Sequence, residues 1–127
     1  MSKKILIVDD DMYLRDLYEE ILKEAGFEVE TAADGREGLT KLSVGGYDLT
    51  LLDVMMPHLD GLGVLSKLQE VKPTTPNGPI VLLTNLAHDP VIQEGLSKGA
   101  VAYLIKADMT PDQVLENVKK YIREEKV

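Results

Sequence analysis

Acids, a hydroxyl and an ammonium stand where apolar runs stop. Ile5-Leu6-Ile7-Val8 runs into Asp9, Asp10 and Asp11, and Asp48-Leu49-Thr50-Leu51-Leu52 runs into Asp53 and then Val54-Met55-Met56-Pro57. Ile80-Val81-Leu82-Leu83 runs into Thr84, and Tyr103-Leu104-Ile105 runs into Lys106. Strands pointing one way would bring these exits to one edge of a sheet. Carboxylates about 4 Å apart repel by roughly 4 kcal/mol at an effective dielectric near 20, so Asp9, Asp10 and Asp53 together need a cation or protons. All their donors are hard oxygens, which suits Mg²⁺ over zinc or copper. Mg²⁺ bridges readily to phosphate oxygens, and one of the carboxylates beside it would act as a nucleophile toward phosphorus and become an aspartyl phosphate. Lys106 and the Thr84 hydroxyl would supply the positive charge and the donor that incoming phosphoryl oxygens need.

The elements that must position these groups follow from periodicity. Lys4 to Val8 is the first strand, its apolar run Ile5 to Val8 unbroken as a buried parallel strand requires. Leu14, Leu17, Ile21, Leu22 and Ala25 then recur at helical spacing, with Gly26 as the stop. Phe27 to Ala32 alternates, which suits a half-exposed edge strand. Asp34-Gly35 punctuates, and a short helix through Leu39 and Leu42 ends before Gly45-Gly46. Beyond the strand ending at Asp53, Asp60 is the expected N-cap of a helix using Leu62, Leu65, Leu68 and Val71. Lys72 to Pro79 carries three prolines and a glycine and reads as a loop. Ile80 to Leu83 is a fourth strand. Asp89-Pro90 opens a helix with a thin stripe (Val91, Ile92, Leu96) that Gly99 closes, and Ala102 to Ile105 is a fifth strand. Thr110-Pro111 caps a last helix with Val114, Leu115, Val118, Tyr121 and Ile122 inside and Lys119, Lys120 and Arg123 near its end.

Five strands alternating with five helices predict an α/β doubly wound (βα)5 unit with a parallel sheet. The first strand is apolar throughout and belongs at the centre, and the second belongs at an edge. That selects the flavodoxin-like strand order 2-1-3-4-5, whose ligand site lies at the switch point between strands one and three. A length of 127 residues suits one domain, and a hydrophobic fraction of 44% suffices for its core. No apolar run is long enough to cross a bilayer, and the basic Met1-Ser2-Lys3-Lys4 start precedes too few apolar residues for a signal peptide. With no cysteine, disulfides and thiolate metal sites are excluded, and the cytoplasm is the simplest address. The net charge of −8 argues against a general nucleic-acid surface.

Each residue also has a plainer role. Asp11 is placed to cap the first helix, and a lone strand-end Asp is more often a turn residue than a nucleophile. Tyr103 is ordinary strand packing by default, Met55 and Met56 are loop and core filler, and His58 and His88 are solvated loop residues. It is the joint placement of acids, Thr84 and Lys106 at separate strand exits that chance does not explain.

These residues resemble the receiver domain of two-component response regulators. The resemblance rests on Ile5-Leu6-Ile7-Val8-Asp9-Asp10-Asp11, on Tyr47-Asp48 and Asp53-Val54-Met55-Met56-Pro57 with Asp60-Gly61, on Leu83-Thr84, and on Gly99-Ala100 through Tyr103-Leu104-Ile105-Lys106. It implies Asp53 as phosphoacceptor. It implies Mg²⁺ held by Asp10, Asp53 and the backbone carbonyl of Met55, with Asp9 acting largely through water. Lys106 would pair with Asp53 and later with the phosphoryl group, Thr84 would move toward that group, and Tyr103 would swing inward as Thr84 leaves space. A receiver of this kind promotes its own phosphorylation and dephosphorylation and is not otherwise an enzyme. The implied donor is a phosphohistidine on a sensor histidine kinase or phosphotransfer protein. The implied output is a protein target meeting the face of the fourth helix, fifth strand and fifth helix.

Two positions depart from the pattern: Ala107 follows Lys106 where proline is usual, and Asn85 follows Thr84 where a small residue is common. The Lys106–Ala107 bond is therefore expected to be trans. Because the last helix ends near residue 127, the expectation is one receiver domain over residues 1–127 with no output domain, acting as a stand-alone Mg²⁺-dependent phospho-acceptor switch. No direct nucleic-acid contact and no membrane insertion are expected. A monomer at rest is the default, with phosphorylation-linked pairing through the last helices left open. The rivals are a receiver-like binding module that is not phosphorylated and a Mg²⁺-dependent aspartyl-phosphate phosphohydrolase, which would need a further acid or base and a substrate cap.

Overall fold

The computed structural model describes residues 2–85 and 89–122. The strands are β1 (Lys4–Val8), β2 (Glu28–Ala32), β3 (Leu49–Asp53), β4 (Ile80–Thr84) and β5 (Ala102–Ile105). The helices between and after them are α1 (Met12–Glu24), α2 (Gly35–Val44), α3 (Gly61–Leu68), α4 (Asp89–Ser97) and α5 (Pro111–Ile122), with a single 3₁₀ turn at Lys106–Asp108. The strands pair in parallel in the order β2-β1-β3-β4-β5, as expected.

Burial explains that order. Nearly every residue of β1, β3 and β4 is buried, so these strands need cover on both faces. Strands β2 and β5 are half-open and take the two edges. Strand alternation then sends Leu6, Val8, Leu52 and Leu82 to one face, against Leu42 of α2 and Val64 and Leu65 of α3. Ile5, Ile7, Leu49, Leu51, Val81 and Leu83 go to the other face, against Tyr18 and Leu22 of α1 and Val114, Val118 and Ile122 of α5. Burying each large aliphatic side chain contributes about 1.5–3 kcal/mol, so these two layers dominate the stability.

Helix starts follow local chemistry. Asp11, Asp34 and Asp60 each accept a backbone N–H three residues on, from Leu14, Glu37 and Gly63. Thr110 and Gln113 exchange bonds at the start of α5 as a capping box. The helical stripes differ in detail from expectation. In α1, Leu17 is exposed while Tyr18 and Leu22 are buried, because the inward face follows Leu14, Tyr18, Ile21 and Leu22, and Ala25 lies exposed just past the helix end. Helix α3 ends at Leu68, so Val71 lies beyond it and is exposed, whereas Val64 is fully buried. The inner face there runs Gly61, Val64, Leu65, Leu68. Arg123 and His88 lie outside the described residues.

The proline-rich stretch after α3 is a clamp. Thr74 and Thr75 donate their N–H groups to Ser43 and Val44 at the end of α2, and Gly78 donates to Tyr47. Gly45 has φ +86 and pairs with Thr75, whose carbonyl oxygen leaves no room for a Cβ. The Asn77 side chain accepts from the Tyr47 N–H at 3.2 Å and donates to the Leu42 carbonyl at 2.9 Å.

Two stability measurements test this packing. Asn77→Ala leaves two part-buried backbone groups without their partner and is expected to cost about 1–3 kcal/mol in urea unfolding; a cost below a few tenths would contradict the clamp. Thr50 is fully buried, and its Oγ1 has no hydrogen-bond partner among the described residues. Thr50→Val is therefore expected to raise stability by about 1 kcal/mol, and a loss would show that the hydroxyl is satisfied.

Candidate functional site

The site is built at the carboxyl ends of β1, β3, β4 and β5. Val8 is in register with Leu52, so Asp9 and Asp53 leave adjacent strand tips on the same face of the sheet. Both acids are buried, whereas Asp10, one residue on, is exposed. One carboxylate oxygen from each of Asp9, Asp10 and Asp53 lies within 4.8 Å of the others. Gly61, whose N–H donates to the Val54 carbonyl, lets α3 begin directly against this strand end: a Cβ there would collide with the backbone of Asp53.

Lys106, the residue after β5, crosses to these acids. Its Nζ donates to Asp9 Oδ2 at 2.9 Å and lies 3.3 Å from Asp53 Oδ1, with its side chain largely buried. Lys106 was expected to pair with Asp53; the shorter bond is to Asp9. Burial alone would lower the lysine, but the bond and charge of Asp9, then those of Asp53, hold it above the usual lysine range. Asp53 is pushed up to about 7, first by burial, then by the charge of Asp9, against the pull of Lys106, with Asp10 adding to the rise. One ammonium therefore faces three carboxyl groups, and the deficit of positive charge falls on Asp53.

The remaining expected residues take definite places. Thr84 ends β4 and is buried; its neighbour Leu83 is in register with Asp53. Tyr103 on β5 is 40% exposed, so its ring points outward. Met56 is buried and Met55 is 74% exposed, in the turn just after Asp53. His58 is exposed with φ +70 in the same loop and is no part of the acid cluster. Asn85 is exposed next to Thr84. The Lys106–Ala107 bond is trans, and the chain continues through the 3₁₀ turn to α5.

Two features of the site were not expected from the sequence. The Asp11 N–H donates to Asp9 Oδ1 at 2.9 Å, and Arg15 Nη1 donates to the Asp9 backbone carbonyl at 2.8 Å.

The donor set fits a hard divalent cation. Three oxygen ligands converge, one of them reaches solvent, and the buried pair carries more negative charge than Lys106 offsets. Among the described residues this is the one group of three or more potential metal ligands.

Comparison with known proteins agrees with this architecture. The sequence pattern of the response regulator receiver domain matches residues 5–119, and the chain belongs to that family, the phospho-acceptor signalling unit of two-component systems. It is 39% identical over 122 residues, 96% of its own length, to the probable transcriptional regulator ycf27 of Cyanophora paradoxa. It is 37% identical over 123 residues, 97% of its length, to the transcriptional regulatory protein SrrA of Staphylococcus aureus. The chain spans about half the length of these two relatives, 49% of each. A CheY-like response regulator receiver domain protein from Methanospirillum hungatei JF-1 superposes with a TM-score of 0.87 at 34% identity, covering 98% of this chain and 96% of that one.

The elevated Asp53 carboxyl makes a signed prediction. The folded, metal-free protein binds more protons than the unfolded chain between the ordinary carboxylate range and about 7. The stability this group contributes is therefore present at the acid end and lost as pH rises through about 7. Without divalent cations, the wild type is expected to lose stability relative to Asp53→Asn between about pH 5.5 and about pH 8 in urea unfolding. Parallel pH dependences of the two proteins would contradict it.

Proposed function

We propose that the chain is a Mg²⁺-dependent phospho-acceptor switch in which Asp53 is the nucleophile. The observation that carries this is the placement of the Lys106 ammonium between the buried Asp9 and Asp53 carboxylates, beside the exposed Asp10. Asp10, Asp53 and the Met55 carbonyl would hold Mg²⁺, with Asp9 acting through water. When bound, the cation supplies charge that draws Asp53 into its ionised form and neutralises phosphoryl oxygens.

An ionised Asp53 oxygen attacks the donor phosphorus, forming a P–O bond as the bond from phosphorus to the donor breaks. With a phosphohistidine donor, the leaving ring nitrogen keeps the electron pair and takes up a proton. Lys106 exchanges its contact with Asp53 for one with a phosphoryl oxygen, and the Thr84 hydroxyl donates to another. Hydrolysis returns phosphate to water and a carboxylate to Asp53.

The site faces solvent through Asp10 and the turn at Met55, as access for a phosphohistidine side chain requires. The donor is then a sensor histidine kinase or phosphotransfer protein. Occupation of the site would draw Thr84 inward and let Tyr103 follow, which alters the face formed by α4, β5 and α5 for a downstream protein. No helix among the described residues is long and apolar enough to cross a membrane, which is consistent with a cytoplasmic address. The two curated relatives above are named as transcriptional regulators, and the proposal concerns the phospho-acceptor unit they share with this chain.

Intact-mass measurement after incubation with a small phosphodonor and Mg²⁺ tests the assignment. One phosphoryl group is expected on the wild type and none on Asp53→Asn. Lys106→Ala is expected to slow formation by on the order of 10²-fold, the usual effect of removing one preorganised charge-stabilising group. An adduct retained unchanged in Asp53→Asn would overturn the assignment.

A further inference from the structure

We infer that Arg15 is a positioning residue for the cation-binding carboxylates and acts through Asp9. The inference rests on the Mg²⁺ assignment above. Every polar group of Asp9 is tied. Its N–H donates to the Ala32 carbonyl at 3.1 Å, Oδ1 accepts from the Asp11 N–H at 2.9 Å, and Oδ2 accepts from Lys106 at 2.9 Å. Its backbone carbonyl accepts from Arg15 Nη1 at 2.8 Å. The first three bonds belong to strand pairing, to the local turn and to the site lysine. The fourth reaches back six residues from α1.

The oxygen that Arg15 holds belongs to the peptide unit joining Asp9 to Asp10. Fixing that unit fixes the direction in which the chain leaves β1, and with it the backbone from which the Asp10 carboxylate projects. Asp10 is exposed, and no side-chain hydrogen bond holds it among the described residues. Its aim therefore depends on its backbone. The half-buried Arg15 side chain holds the turn at the Asp9 carbonyl, while the Asp11 side chain, which accepts from the Leu14 N–H, fixes its other end at the start of α1. A guanidinium cannot lose its proton near neutral pH, so the grip holds throughout the working range.

Charge and positioning give opposite signs, which makes the role testable. A fixed cation near a cation site opposes Mg²⁺, so removing the charge alone would tighten binding. Loss of an outer-shell support weakens metal binding, commonly 10–100-fold.

The test is calorimetric Mg²⁺ titration of the wild type, Arg15→Ala, Arg15→Met and Arg15→Lys at one pH and ionic strength, with amide exchange read at Asp11. Arg15→Ala is expected to weaken Mg²⁺ about tenfold and to speed exchange of the Asp11 N–H. Arg15→Met, which keeps the aliphatic stem and its packing, is expected to weaken it similarly; this variant carries the test if the alanine form does not fold. Arg15→Lys, which retains a donor, is expected to recover most of the affinity. Mg²⁺ binding that is unchanged or tighter in Arg15→Met, with a wild type that binds, overturns the inference alone. A wild type that takes up no Mg²⁺ overturns the metal assignment and this inference with it.

Discussion

The structure turns on a single ammonium serving two buried carboxylates. Lys106 Nζ is 2.9 Å from Asp9 and 3.3 Å from Asp53, and both acids are shielded from water. Neither acid would be tolerated there alone in ionised form, because burial withdraws the solvent that stabilises the charge. With Asp10 a third negative group nearby, the lysine leaves the cluster short of positive charge. Asp53 absorbs the shortfall by titrating near neutrality. A site in this condition is receptive to a hard cation.

The fold exists around that contact in a geometrical sense. Parallel pairing sends all strand exits to one edge, and the order β2-β1-β3-β4-β5 makes β1 and β3 neighbours. Asp9 and Asp53 then fall side by side. Lys106 leaves the outer strand and must cross β4 to reach them, and Thr84 ends that intervening strand. The two apolar layers hold the strands rigid, so the polar groups are set by backbone register and not by their own mutual attraction. Instability is thus confined to the rim, where the charges are, while the layers beneath supply the stability that offsets it.

Much of this was legible in the residues. Continuous apolar character in Ile5 to Val8 and alternation in Phe27 to Ala32 pointed to the sheet order, because burial on two faces and on one leave different patterns. The caps at Asp11, Asp60 and Thr110 are local chemistry and were readable as such, whereas Asp34 read only as punctuation and proves to cap α2. The misassigned positions depended on contacts distant in sequence. Leu17 and Ala25 fit a helical spacing as well as Tyr18 does, and only the seating of α1 on the sheet and against α5 decides which face is buried. Val71 continues the spacing of α3, but the helix stops at Leu68. Nothing local marks Asn77 as the residue that fastens two loops, or Arg15 as a partner for the Asp9 carbonyl. The shorter Lys106 contact to Asp9 is set by how the lysine side chain crosses the sheet edge, which side-chain types do not encode.

The most direct test of the central arrangement is a carbon-13 NMR titration of the Asp53 side-chain carboxyl in the metal-free protein, with and without the lysine charge. The account predicts a midpoint near the elevated value of about 7 in the wild type, and a higher one in Lys106→Met. A midpoint in the ordinary aspartate range of about 4, unmoved by that substitution, would contradict it.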